Sequence, residues 1–481
     1  MGSSARGPAD ATVAPMQPSF STLALSKELL AVLEELGFDA PTSIQALAIP
    51  HVLDGSDLIG QSCTGSGKTV AFALPLLQRV SLGQRGLFAL VLCPTRELCK
   101  QVAREFRKLG RKHAGLSVAI LCGGEPLAPQ ADRLRRGAHL AVGTPGRVID
   151  HLTRRTIDVA HIKSVVLDEA DRMLDMGFQP AVEEIMRALP NPRQTLLFSA
   201  TFPESIRRLS ETYQVNPITI GQSDESSSAP EIQQLTIAAN ASNKPTALVQ
   251  VLQRCPFDSA LIFANLKTTV VALRTFLSQL GVSVDALHGD LEQFDRDRVM
   301  AKFRNGSTRV LVATDVAARG IDLESLDLVV NFDLPAQPDD YVHRIGRTGR
   351  AGRQGRAVSL FESHEHPKLE AIKAQFSSVP FETLCIEPSE DPPPIAQSLD
   401  RDPPMSTLRI SAGRKDKLRP GDIVGALTCE AAGFLASEIG KIETHDRFTY
   451  VAIARPLMDR ALMTLREGPI KGKKFRVDRV T

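Results

Sequence analysis

Nowhere in the 481 residues does an apolar run approach the ~18 uninterrupted residues that a membrane-crossing helix needs, so no span is expected. The seven cysteines are scattered, and none falls in a Cys-x-x-Cys pair or a Cys/His cluster. That argues against a disulfide scaffold and a zinc site and fits a reducing compartment. An excess of one charge is missing too: 57 Lys and Arg face 55 Asp and Glu, a net +2 that names no class of partner. The opening residues Met1-Gly2-Ser3-Ser4-Ala5-Arg6 lack the apolar core of a secretory signal and the Ser or Thr of a myristoylation pattern, so a cytoplasmic protein is expected. With 43% hydrophobic and 23% charged residues, wholesale disorder is excluded. Even the neutral balance hides an asymmetry. From Met405 to Thr481 there are 15 basic and 9 acidic residues, against 42 and 46 in the rest, so one end of the chain is basic.

The length suggests about three domains. Residues 1–19 read as a flexible tail. Over 20–222, short β-rich runs (57–62, 88–94, 117–123, 140–144, 164–168, 195–199) alternate with helical patterns, such as the stripe Leu98, Val102, Phe106, Leu109. A polar linker at 223–232 interrupts the rhythm, which resumes over 233–387 with runs at 260–264, 284–287, 309–313, 326–332 and 357–361. Such alternation predicts α/β architecture, two parallel-sheet domains in tandem. The Pro-rich segment 388–404 is expected to be extended, and 405–481 to form a small α+β domain.

Ser62-Cys63-Thr64-Gly65-Ser66-Gly67-Lys68-Thr69 follows a predicted strand and opens a helix, the setting of a P-loop. Gly65 and Gly67 let backbone N–H groups face phosphate oxygens, Lys68 neutralises the β/γ-phosphates, and the Thr69 hydroxyl is a Mg²⁺ ligand. Val165-Val166-Leu167-Asp168-Glu169-Ala170-Asp171 is an apolar strand ending in acids. Asp168 at its tip suits Mg²⁺, and Glu169 suits orientation or deprotonation of an attacking water. Pro94-Thr95-Arg96, Gly123-Gly124 and Thr144-Pro145-Gly146-Arg147 close successive strands, where ligands gather in open α/β sheets. Their hydroxyls, backbone amides and arginines suit phosphates and sugars. The second domain has no P-loop, but it has His343-Arg344-Ile345-Gly346-Arg347-Thr348-Gly349-Arg350, a source of arginine fingers for a nucleotide bound elsewhere.

From about Phe20 to Cys385 these motifs, in this order, resemble the DEAD-box RNA helicases, whose signature is Asp168-Glu169-Ala170-Asp171. The resemblance implies two RecA-like domains, ATP and Mg²⁺ as cofactors, and RNA as partner. It makes Gln45, with Phe20 upstream, the adenine-reading pair, and places Thr64, Gly65, Ser66, Gly67, Lys68, Thr69, Gly320 and Asp322 around the nucleotide. Lys68, Asp168, Glu169, His343, Arg347 and Arg350 would carry catalysis, with His343 and Arg344 at the active interface. Pro94, Thr95, Arg96, Gly123, Gly124, Thr144, Pro145, Gly146, Arg147, Asn265, Gln293, Arg296, Thr314 and Asp315 would line the RNA track, and Ser199 and Thr201 would couple the two sites. An RNA-dependent ATPase that pries short duplexes apart is expected, and a monomer; an ATP-gated RNA clamp that separates little is the alternative, and a DNA helicase a weaker third reading.

The basic end carries Gly413-Arg414-Lys415-Asp416-Lys417-Leu418-Arg419-Pro420-Gly421-Asp422 and Ile439-Gly440-Lys441-Ile442, which resemble the RRM-like C-terminal domain of the bacterial DbpA subfamily. That subfamily recognises a hairpin of large-subunit rRNA, which implies ribosome assembly. Phe448 and Tyr450 point to one side of a strand, where they either stack on bases or fill the core of the domain. No Lys-Gly or Arg-Gly precedes Phe448, and Ile453 stands where an aromatic is usual. Recognition would then fall to the flank: Arg414, Lys415 and Lys417, with Lys471, Lys473 and Lys474 as either a phosphate patch or a solvated basic edge.

Overall fold

The structure, a computed structural model, describes residues 19–61, 66–83, 86–221, 232–318, 326–349, 354–375, 380–384, 399, 402–430 and 432–480. Thr64, Gly65, Gly320, Asp322, Arg350 and nearly all of the tail and both linkers lie outside the described residues. The chain divides into two compact units, Met1–Asp224 and Glu225–Thr481.

The first unit is built on seven parallel strands: β1 (Leu58–Gln61), β2 (Ala89–Leu92), β3 (Val118–Leu121), β4 (Leu140–Gly143), β5 (Ser164–Asp168), β6 (Gln194–Ser199) and β7 (Ile218–Ile220). They lie in the order β3-β4-β2-β5-β6-β1-β7. Strands β2, β4, β5 and β6 are buried along their whole length. They therefore read as continuous apolar runs, as strands covered on both faces must. Helix Arg96–Leu109 lays its Leu98, Val102, Phe106 and Leu109 stripe on one face. Val182, Ile185 and Met186 of helix Gln179–Ala188 pack on the other.

The second unit repeats the plan with β8 (Ile232–Ala238), β9 (Ala260–Phe263), β10 (Val284–Leu287), β11 (Val310–Ala313), β12 (Leu328–Asn331), β13 (Gly355–Phe361) and β14 (Phe381–Thr383). The order β10-β11-β9-β12-β13-β8-β14 is the order of the first sheet, position for position. Ile232, placed in the linker by the sequence pattern, is the first residue of β8. Leu399, inside the Pro-rich segment, is buried in the core of this unit.

The same unit carries the C-terminal antiparallel sheet β16-β17-β15-β18, built from β15 (Met405–Ile410), β16 (Ile439–Thr444), β17 (Thr449–Ala454) and β18 (Val477–Arg479). Its core, including Leu408, Ile410, Ile423, Val451 and Leu465, lies under helices Pro420–Thr428 and Met458–Glu467. The α/β, RecA-like and small α+β expectations all hold.

Candidate functional site

At the carboxyl end of β1 the chain turns through Gly67, whose φ of +92° suits glycine, into helix Lys68–Arg79. A side chain at Gly67 would collide with the Gln45 amide. That amide is buried, donating from Nε2 to Gly67 O at 3.2 Å and accepting from Thr42 N at 3.0 Å. Thr42 Oγ1 donates to Ser66 O at 2.8 Å, so the start of helix Ser43–Leu53 is strapped to the phosphate loop by two side chains. Phe20 is buried and meets Phe38 edge-to-face, with ring centroids 6.3 Å apart.

Lys68 faces the end of β5, where Asp168 is 3% exposed. Burial pushes the Asp168 carboxyl up to about 7; the nearby Lys68 charge pulls it down, and the Glu169 and Asp171 charges push it further up. Glu169 sits in the left-handed region at φ +52°, a strained conformation for a residue with a side chain, as active-site backbones often adopt. Its carboxylate accepts from Arg172 Nη1 at 2.9 Å, in a buried pair.

Asp171 binds the next strand end. Its Oδ2 accepts from Ala200 N at 3.1 Å, Thr201 N at 2.9 Å and Thr201 Oγ1 at 3.0 Å. The Asp171 amide donates to Ser199 Oγ at 3.3 Å. Sequence reasoning gave Asp171 no role of its own. The pairing spans about 30 residues, and only the adjacency of β5 and β6 brings the two strand ends together.

A second cluster forms at the ends of β2, β3 and β4. Thr95 caps helix Arg96–Leu109, accepting from Leu98 N at 3.2 Å. The Arg96 guanidinium lies so close to Gly124, at φ +75°, that a Cβ there would collide with it. Arg147 Nη1 donates to Glu125 O at 2.9 Å, one residue beyond the glycine pair. Thr144 and Pro145 open helix Pro145–Thr153, and Gly146 is exposed with nothing in front of it. The three motifs, separate turns in the sequence, thus form one surface carrying Arg96 and Arg147. Beneath it the buried His151 bridges Thr156 Oγ1 at 2.7 Å and Gln130 Oε1 at 3.2 Å. Burial, helped by the Arg147 charge, holds its pKa below the ordinary value.

In the second unit Arg344 is the hub. Buried to 1% exposure, it donates to both Asp315 oxygens at 2.6 Å, to Asn265 Oδ1 at 2.8 Å, to Asn331 Oδ1 at 3.2 Å and to Asp333 O at 2.6 Å. It also lies 5.0 Å from the Phe263 ring centroid. Arg344 therefore ties Asn265 to Asp315 inside its own unit, a task the motif series had not shown. Gln293 opens helix Gln293–Arg304, and Arg296 reaches Ala317 O at 3.2 Å. Thr314 N donates to Leu287 O at 3.2 Å, and Arg347 is 5% exposed. His343 lies in helix Pro338–Ile345.

In the C-terminal domain the two basic runs converge. Lys471 Nζ donates to Lys417 O at 3.2 Å. Both lysines are in the left-handed region, at φ +54° and +59°, where non-glycine residues are uncommon. Arg414, Lys415, Lys417, Lys471, Lys473 and Lys474 are all exposed. Phe448 and Tyr450 do share a side of the sheet, but Tyr450 is fully buried. No helix among the described residues is long and apolar enough to cross a membrane.

Residues 42–209 match the DEAD/DEAH box helicase family, 243–352 the helicase conserved C-terminal domain, and 407–479 the DbpA RNA binding domain. The chain is 44% identical to the ATP-dependent RNA helicase DbpA of Escherichia coli over 95% of its length and 99% of the relative's. It is 43% identical to the DEAD-box ATP-dependent RNA helicase CshA of Bacillus cereus, over 74% of this chain and 67% of that one. Among solved structures, S. cerevisiae Dbp5 bound to RNA and ADP BeF3 superposes with a TM-score of 0.69 at 34% identity, covering 76% of this chain and 95% of that one.

Proposed function

Because the chain belongs to the DEAD-box ATP-dependent RNA helicases, and within them is of the DbpA type, we propose that it couples ATP hydrolysis to local opening of large-subunit rRNA during ribosome assembly. The observation that carries the reading is the strand end Asp168-Glu169-Ala170-Asp171. At one end the buried Asp168 feels the nearby Lys68 charge, and at the other Asp171 is hydrogen-bonded to Ser199 and Thr201.

Lys68 and the amides after Gly67 bind the β/γ-phosphates, and Gln45, already fixed at the loop, reads the adenine beside Phe20. Glu169 orients the attacking water and takes up its proton; ATP and water leave as ADP and phosphate. Arg347 supplies positive charge to the transition state, a contribution worth about 10³–10⁵ in rate in related NTPases. Mg²⁺ fits the donor set. Asp168 is a buried carboxylate pushed up to about 7 beside a second acid, an electrostatic cost that a divalent cation relieves. Asp168 and Thr69 would hold the ion together with substrate phosphates. When bound, the ion neutralises charge on the phosphates.

RNA backbone lies along Arg96, Gly123, Gly124 and Arg147 of the first unit and along Asn265, Gln293, Arg296, Thr314 and Asp315 of the second. ATP and RNA each draw on both units, so their binding is reciprocally coupled. Asp171 transmits between the sites: movement of Glu169 on nucleotide binding pulls the Ser199–Thr201 loop through three hydrogen bonds to one oxygen. The converging lysines 417 and 471, with Arg414, Lys415, Lys473 and Lys474, hold the phosphates of an rRNA hairpin.

RNA-stimulated ATP turnover tests the site. Lys68→Ala and Glu169→Gln are each expected to lower it at least 100-fold while RNA binding persists. Full turnover in either variant would remove the assignment.

A further inference from the structure

The aromatic side of the C-terminal sheet is covered from within the same unit. Tyr450 on β17 pairs in register with Arg409 on β15, so Phe448, Tyr450 and Arg409 lie on one side of the sheet. Against them lies the first turn of helix Gln293–Arg304. Phe294 meets Phe448 edge-to-face with ring centroids 6.0 Å apart. The Arg409 guanidinium is 4.9 Å from the Phe294 centroid and 5.6 Å from that of Phe448. At the other end of the helix, Arg304 makes a forked pair with Glu443 of β16, at 2.8 and 2.6 Å. Just beyond it, Ser307 Oγ and Thr407 Oγ1 are 2.7 Å apart.

The contact therefore grips one helix at both ends, with aromatic and cation–π packing at one and a bidentate ion pair at the other. Two separated contacts of different chemistry resist rotation as well as sliding. The helix they grip also carries Gln293 and Arg296 in its first turn. A domain held only by a Pro-rich segment would sweep tens of ångströms and offer a bound hairpin at many positions. Docked through its sheet, the domain offers its basic edge at one position, and Arg414, Lys415, Lys417, Lys471, Lys473 and Lys474 all remain exposed in the docked domain.

We propose that the C-terminal domain is a fixed arm: its sheet side docks on helix Gln293–Arg304 and sets the spacing between the structured RNA gripped by the basic edge and the duplex opened by the helicase units. The proposal rests on the reading of that edge as an RNA-hairpin site. It makes Phe448 and Tyr450 docking residues, and base stacking on them is incompatible with the docked domain.

The test uses the full chain and substrates in which a large-subunit rRNA hairpin is joined to a short duplex by single-stranded spacers of increasing length. The wild type is expected to separate strands with one optimal spacer, falling about tenfold a few nucleotides to either side. Arg304→Glu and Glu443→Arg should each flatten this profile and lower the best rate about tenfold, and the double charge swap should restore it. Hairpin affinity, read by fluorescence anisotropy, and ATP turnover on unstructured RNA should stay within twofold throughout. A flat wild-type profile with tight hairpin binding overturns the arm alone, as does an unchanged optimum in both single variants. Failure of the wild type to bind the hairpin overturns the edge assignment and the arm together.

Discussion

Replacing Arg344 by lysine keeps a positive charge and removes a fork. The arginine makes five side-chain hydrogen bonds of 2.6–3.2 Å, in several directions, to Asp315, Asn265, Asn331 and Asp333. A single ammonium has three donors on one atom, so at least two of these are lost at a residue 1% exposed. Hydrogen bonds to charged groups contribute about 1.5–3 kcal/mol each and are not additive, so a net loss of about 2–3 kcal/mol is expected. The assay is amide hydrogen exchange over helix Pro338–Ile345 and β12, which should quicken roughly 100-fold if opening is local. In parallel, the RNA concentration that half-saturates ATP turnover should rise, because Asn265 and Asp315 lose their common tether. Asp315→Asn should then add little to Arg344→Lys. Were Arg344 a contact made only on closure of the two units, turnover would fall while exchange stayed unchanged, and that result would refute the reasoning.

Three further outcomes are expected. Asp171→Ala leaves the amides of Ala200 and Thr201 without their acceptor; it should uncouple the sites, preserving ATP and RNA binding measured separately while their mutual enhancement, read by paired titrations, falls about tenfold or more. His151 is held below its ordinary pKa by burial and by Arg147, so its contribution to stability is present above about pH 6.5 and is lost as pH falls through the lower folded-state value. The melting temperature of the first unit should drop on acidification, and His151→Gln should flatten that slope. Lys473→Ala should weaken hairpin binding and make the slope of log affinity against log salt shallower by about one unit, measured by anisotropy across a salt series.

The buried strands were legible because a strand covered on both faces must be apolar throughout. Ser164–Asp168 coincides with a run read from sequence, and Ala260–Phe263 falls within another. The edge strands Ile218–Ile220 and Phe381–Thr383 were not, since three residues leave no period to detect. Strand Ile232–Ala238 escaped because Gln233 and Gln234 interrupt its apolar run; Gln234 is in fact buried, accepting from the Tyr341 hydroxyl at 2.9 Å. Strand Ile439–Thr444 was noticed only as a motif and not as a strand. Among site residues, motif spacing pointed to Lys68, Asp168 and Glu169. It was silent on Asp171 with Thr201 and on Arg344 with Asn265, pairs 30 and 79 residues apart that only the tertiary fold brings into contact. Phe448 and Tyr450 were correctly placed on one side of a strand. What covers that side, Phe294, lies over 150 residues earlier and carries no local signal.

RNA gripped by the basic edge is expected to direct the ATPase. This is tested by steady-state ATP turnover at matched salt, with an unstructured strand or with a large-subunit rRNA fragment holding the hairpin. Wild type would be compared with a Lys417→Glu, Lys471→Glu, Lys473→Glu variant. The rRNA fragment is expected to stimulate at far lower concentration than the unstructured strand, and the triple variant to lose this preference while keeping its response to unstructured RNA. Equal stimulation by the two RNAs, unchanged in the variant, would contradict it.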